Sequence, residues 1–320
     1  MSTTGVRIII IKLLVILVVS SILFSRGFIL PVSAQTDAIR FETISTEQGL
    51  SQSTVNAILQ DRQGFLWFAT EGGLNEYDGY QFTVFQHDPD DPRSLTNNLV
   101  TSMFEDRDGR LWIGTSTGLD RLDRSSGTFI HFPISSTGSG GCCVQAISQD
   151  LSGTLWVGTG GAGLYALDPT TNRLTVYKHD RGDPHSLSDD FINTIYLGRE
   201  GDLWIGTDGG LDRFDAAAGS FTHDLQNGAG SSMPGNSPVH AIYEDGQGSL
   251  WIGTMAGLVQ WDRPANRFVL YQQDPNAPES LSDDAIRCIY QDSQANLWIG
   301  TRTALDQFDP AKKGFIHFVH

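Results

Sequence analysis

Leu111-Trp112-Ile113-Gly114-Thr115 is one of six near-copies of a single pentapeptide, and the spacing of the copies decides the fold. Their tryptophans are Trp67, Trp112, Trp156, Trp204, Trp251 and Trp298, separated by 45, 44, 48, 47 and 47 residues. A repeat of this length, made of short strand-like runs and Gly-rich turns, is the signature of a β-propeller with one four-stranded blade per repeat. The chain is therefore expected to be all-β, and only the differences between its repeats can report on function.

Each repeat contains four strand-like runs. The first, 55–60 in repeat one, recurs from Val100, Val144, Ile192, Val239 and Ile286. A turn follows with Asp first and Gly fourth (Asp61 and Gly64, Asp106 and Gly109, Asp150 and Gly153, Asp245 and Gly248), residues suited to a tight hairpin. The Trp run comes next, then a Gly-Leu-x-x-apolar-Asp run, then an outer run with apolar residues three apart, such as Phe82 and Phe85. One indole per blade at a fixed strand position points to packing between blades rather than to a stacking platform for a ligand. Repeat six departs from the others, with Ala295 and Ala304 in place of Gly.

The first 34 residues differ in kind. Arg7 and Lys12 precede an apolar run from Leu13 to Phe24, and Val32-Ser33-Ala34 offers small residues for cleavage before Gln35. Residues 1–34 are thus expected to be a signal peptide, with an uncleaved membrane anchor as the rival reading. Residues 35–320 form the propeller, in an extracytoplasmic setting, periplasmic or secreted. Loss of Arg7, Lys12 and Arg26 leaves 18 basic against 37 acidic residues, a formal charge of −19. Such a surface repels nucleic acid and anionic membranes. Cys142 and Cys143 are adjacent and Cys288 lies in another repeat, so no disulfide framework is expected, and no C-x-x-C is present. His131, His223 and His317 share one position on outer strands of separate blades, too far apart for a metal site. No cofactor is expected.

Residues 39–45 read as an outermost strand ahead of the first innermost one, yet repeat six ends with its own outermost strand, Phe315 to Val319. The expectation is a seven-bladed ring of which six repeats are present, with a six-bladed ring carrying an extra edge strand as the alternative.

The wording of the repeats, notably Tyr77-Asp-Gly-Tyr80, His87-Asp-Pro-Asp-Asp-Pro92, Ser94-Leu95 and Gly118-Leu-Asp-Arg121, resembles two-component regulator propeller repeats over essentially all of 39–320. That resemblance implies the extracytoplasmic sensor of a membrane-spanning regulator, working with a histidine kinase or other output domain. It supplies no catalytic residue.

Positions that differ between blades at an equivalent exposed place are the candidates for function. The residue after the Trp-run Thr reads Glu71, Ser116, Gly160, Asp208, Met255, Arg302. The second residue of the innermost strand reads Asn56, Thr101, Gln145, Asn193, His240, Arg287. Both sets are expected at one mouth of the central channel, with a solvated lining as the plain alternative. His240, Arg287, Arg302, Asn56, Gln145, Asn193, Glu71 and Asp208 suit a small polar ligand, hydroxyl-rich or partly anionic, such as a sugar fragment. The loops Pro133–Cys143 and Leu225–Pro238 lack the Ser-Leu pattern of the other connections and are candidate lids. The leading expectation is a non-enzymatic sensor module. The alternatives are a secreted propeller lyase or glycosidase-like enzyme, and a protein-interaction scaffold. Glu71 and Asp208 belong to blades one and four, which argues against the paired carboxylates of a glycosidase.

Overall fold

A computed structural model describes residues 43–134, 143–223, 237–263, 265 and 267–318. The N-terminal apolar run, Ile39–Glu42, Val319 and most of the two candidate lid loops lie outside the described residues. Among the described residues no helix is long and apolar enough to cross a membrane.

Six sheets, each of four antiparallel strands in chain order, make six blades of a β-propeller. They run Val55–Phe85, Val100–Phe132, Val144–Tyr177, Ile192–Thr222, Val239–Tyr271 and Ile286–Phe318. The innermost strands pack against one another from blade to blade.

The pentapeptide explains how neighbouring blades lock together. Side chains alternate across a strand, so Trp112 and Gly114 face the next blade while Leu111 and Ile113 face the previous one. Trp67, Trp112, Trp156, Trp204 and Trp251 are buried, each in a cluster shared with the following blade. Burial of one indole contributes about 4–6 kcal/mol gross. The glycine two residues later is required by close approach. A Cβ on Gly158 or Gly253 would come within 2.5 Å of Ile192 or Ile286, the first residue of the next innermost strand. The outer-strand spacing of three puts its two aromatics on opposite faces. Phe82 meets Phe68 and Tyr77, whereas Phe85 meets Trp67 and the next blade's Phe129.

The turn aspartates do more than shape the hairpin. Asp61 Oδ1 accepts from the backbone N–H groups of Gln63 and Phe65, and Oδ2 accepts from the Trp67 indole at 2.8 Å. The same indole bond, 2.8–2.9 Å, joins Asp106 to Trp112, Asp150 to Trp156, Asp245 to Trp251 and Asp292 to Trp298. The Trp298 indole, more than any other contact, holds the Asp292 carboxyl down to about 2. Blade four has Gly198 at this place, and the Trp204 indole nitrogen is buried without a partner.

Even-numbered blades carry a second fastening, at histidines that the sequence marks only as edge residues. His131 Nδ1 lies 2.7 Å from the buried Asp120 carboxylate and Nε2 lies 2.8 Å from the Pro92 carbonyl. His223 with Asp212 and Pro184, and His317 with Asp306 and Pro278, repeat the arrangement. Each imidazole faces an acceptor from both nitrogens, which favours the doubly protonated ring. Burial works to lower the pKa of His131 and His317, but the aspartate and carbonyl bonds outweigh it and raise both.

Blades one and six differ from the rest. Ile58 is 64% exposed, whereas Ile147, Ile195 and Ile242 at the same strand position are 8%, 9% and 7% exposed. Tyr290 of blade six is 65% exposed, and Trp298 is only half-buried. The three atoms nearest a Cβ on Gly300 all belong to Cys288 of its own blade. Among the described residues the packing seen at the other five blade contacts is missing between the innermost strands of blades six and one. The strand expected at 39–45 does not extend over its described end. Thr43–Ser45 are in no strand, and Ser45 instead caps the 3-10 helix Thr46–Gln48, accepting from Glu47 N while Gln48 bonds back to Ser45 N.

Candidate functional site at the channel mouth

All six candidate residues on the innermost strands occupy one backbone device. In blade one Val55 pairs with Thr70 and Ala57 with Ala69, so Asn56 is the extra residue of a β-bulge. Thr101, Gln145, Asn193, His240 and Arg287 are the bulged residues of the other five blades. A bulge breaks the alternation of the pleat and re-aims the side chain. This accounts for polar residues between apolar neighbours, a pattern that no regular strand would hold.

The second ring of positions is tied to the first. The backbone N–H of Ser116, Gly160, Asp208, Met255 and Arg302 donates at 2.8–3.3 Å to the carbonyl just before the innermost strand of its own blade. Asp208 is thereby held beside Asn193, Met255 beside His240, and Arg302 beside Arg287.

The two halves of the mouth use these residues differently. Asn56 Nδ2 donates to the Val100 carbonyl at 2.8 Å, and Thr101 Oγ1 to the Val144 carbonyl at 2.5 Å, so both cap the next blade's innermost strand. Gln145 Nε2 lies 3.3 Å from Cys143 Sγ. Glu71 is exposed in this half. In blades four and six the contacts run between side chains. Asn193 Nδ2 donates to Asp208 Oδ1 at 2.9 Å. Burial lowers the His240 pKa, the Arg287 charge lowers it further, and Asp208 opposes both. His240 is thus neutral near pH 7 and sits within electrostatic reach of one cation and one anion. Arg287 is exposed and forms no ion pair among the described residues. Arg302, also exposed, is paired at 2.9 Å with the buried Asp283.

The structure therefore brings Asn193, Asp208, His240 and Arg287 together, and ties Arg302 to a carboxylate that sequence reading missed. Asp283, two residues ahead of Ala285, is recognisable as the partner of Arg302 only once the fold is known. Asn56 serves the fold as well as the mouth. Among the described residues no cluster of His, Cys, Asp and Glu is placed to hold a metal ion.

The fold is that of a β-propeller whose blades share one repeat. Segments 49–72, 94–117, 186–209, 232–256 and 280–303 match the family model described as two component regulator propeller. Segments in five of the six repeats thus match that model, in line with the resemblance carried by the wording of the sequence. A 79-residue stretch is 39% identical to histidine kinase P4 of Formosa agariphila, covering 25% of this chain and 6% of that protein. The extracellular domain of BT3049 from B. thetaiotaomicron, described as belonging to a hybrid two component system, is 27% identical with a TM-score of 0.59. That match covers 81% of this chain and 40% of the BT3049 chain, so the chain spans well under half the length of these relatives. Virginiamycin B lyase from Staphylococcus aureus is also similar, at 13% identity, a TM-score of 0.61, and 82% and 83% coverage of the two chains. That likeness is one of fold alone.

Proposed function

We propose that the propeller is the extracytoplasmic ligand-sensing module of a two-component signalling system. It binds a small polar ligand at the channel mouth of blades four to six and acts on a membrane-bound kinase module. Export by residues 1–34 delivers it to that compartment. The observation that carries this reading is the uncompensated Arg287 beside a neutral His240 and the Asn193–Asp208 pair. In every other respect these residues occupy positions that merely repeat. Arg287 offers a charge-assisted contact to an anionic group, such as a carboxylate on a sugar fragment. His240 and Asn193 supply neutral donors and acceptors for hydroxyls. The similarity to the extracellular domain of a two component system and to part of a histidine kinase supports the signalling role.

The reading assigns no catalytic residue. Calorimetry of residues 35–320 against a panel of neutral and acidic oligosaccharides tests it. Saturable binding without turnover is expected. Chemical conversion of any panel member, with His240 as base, would replace the sensor by a lyase-type enzyme. A panel with no binder but a captured protein partner would favour the interaction scaffold.

A further inference from the structure

The clefts between blades contain a second, unrelated chemistry. In the cleft between blades one and two, Arg124 follows the aspartate that ends the third strand of blade two, and it reaches into the cleft. Its Nη1 lies 2.8 Å from Asp61 Oδ2, its Nη2 lies 3.7 Å from Glu105, and its guanidinium sits 5.4 Å from the centre of the Trp67 ring. Arg263 at the same position of blade five enters the cleft between blades four and five. There it bonds Glu244, Asp202 and the Gly248 carbonyl. The chain thus plugs two of its own clefts with a guanidinium.

In blade six the plug position is Pro310, and there the cleft between blades five and six opens into a cavity of about 580 Å³. The counterpart of Asp61 is Asp245. Its Oδ2 accepts from the Trp251 indole and its Oδ1 from two backbone amides, and among the described residues no cation answers it. The counterpart of Glu105 is Gln291. Arg267 and Lys313 also line the cavity, Arg267 lying 3.4 Å from Asp262. Blade three likewise has Pro169 at the plug position, and a smaller cavity of about 300 Å³ lies there. In that cleft, however, Asp106 is already held by Arg110 at 2.6 Å.

We propose that the cleft between blades five and six binds a guanidinium-bearing small molecule with an anionic end, of which free arginine is the simplest example. The guest guanidinium takes the place that Arg124 fills in the first cleft, donating to Asp245 Oδ2 and the Gln291 amide oxygen. Its carboxylate is met by Lys313 and Arg267. The cavity is of the size that holds small ligands. This site is separate from the channel mouth, and Arg287→Ala should leave it untouched.

The test is titration of residues 35–320 with L-arginine, and with citrulline as the uncharged isostere, followed by calorimetry or NMR. Arginine should bind saturably and citrulline roughly tenfold or more weakly, because the charge-assisted bond to Asp245 is lost. Pro310→Arg lets the chain plug this cleft as it does the first, and should abolish arginine binding. Gln291→Glu restores the acid present at Glu105 and should tighten binding. As a check on the template, Arg124→Gly should lower the melting temperature, and added guanidinium should recover it. Equal binding of citrulline, arginine binding unchanged in Pro310→Arg, or no arginine binding by the wild type would overturn the proposal. If Pro310→Arg fails to fold, Gln291→Glu decides: no tightening overturns it.

Discussion

The clefts between blades and the mouth of the channel are built from the same six repeats, and they use repetition in opposite ways. In the clefts, the packing positions of the pentapeptide and its turn carry nearly one residue type each, with one task. A tryptophan is tied to an aspartate six residues earlier, and a glycine stands against the first residue of the next blade. At the mouth, equivalent positions share a backbone bulge and differ in side chain: Asn56, Thr101, Gln145, Asn193, His240, Arg287. The first pattern builds a scaffold; the second presents six independently chosen side chains on it. Within the mouth the difference is sharper still, since Asn56 and Thr101 bond backbone carbonyls while Asn193 bonds the Asp208 side chain and His240 lies within electrostatic reach of Asp208 and Arg287.

The comparison is broken or sharpened first by stability. Trp112→Ala leaves a cavity in a closed cleft and should cost about 3–5 kcal/mol in denaturant unfolding. Trp298→Ala, whose indole is half-buried on the open flank of blade six, should cost clearly less. Equal losses would mean that the flank of blade six is covered in solution. Ala295 comes next. It sits at φ 67 in the turn where other blades have a positive-φ glycine. Ala295→Gly should raise stability by about 1 kcal/mol, as relief of a left-handed conformation. A destabilised Ala295→Gly would mean that the turn is not left-handed there.

The smallest effect concerns pH. His131 and His317 have raised pKa values in the folded chain, so the stability they contribute is fully present below the unfolded value near 6.5 and is lost as pH rises through the folded values. Both rings are partly exposed, and solvent screening limits the effect to about a few tenths of a kcal/mol each. His317→Gln should flatten the decline in melting temperature above neutral pH. A steeper decline in the variant would contradict the doubly protonated ring.

Much of the scaffold is legible in the sequence because it is repeated. Five copies of Leu-Trp-x-Gly-Thr and one of Leu-Trp-Phe-Ala-Thr give the blades, the strand order and the burial of the indoles. The Asp-to-Trp bond is also readable, as an aspartate six residues before tryptophan in five of six repeats, with Gly198 as the exception. The candidate positions at the mouth are legible as polar residues in an apolar strand, but the bulge that re-aims them is not. It depends on register with the Trp strand, and no residue type marks it. Asp283 beneath Arg302 is hidden for a similar reason: the pair is 19 residues apart in sequence and meets only through the loop geometry of blade six. Of the strand expected at 39–45 only Thr43–Ser45 are described, and they are in no strand. Alternating apolar residues suggest pairing, but Ser45 follows the stronger local signal, a capping box into Thr46–Gln48.

The central claim is that blades four to six, and not the whole mouth, hold the ligand. It is tested most directly by measuring the affinity of one ligand, taken from the oligosaccharide panel, for three proteins: the wild type, Arg287→Ala and Asn56→Ala. Loss of a charge-assisted contact at Arg287 should weaken binding by about 1.5–3 kcal/mol. Asn56→Ala, which removes a bond to the Val100 carbonyl on the far side of the channel, should leave the affinity unchanged. Binding that survives Arg287→Ala intact, or falls as far with Asn56→Ala, would contradict the account.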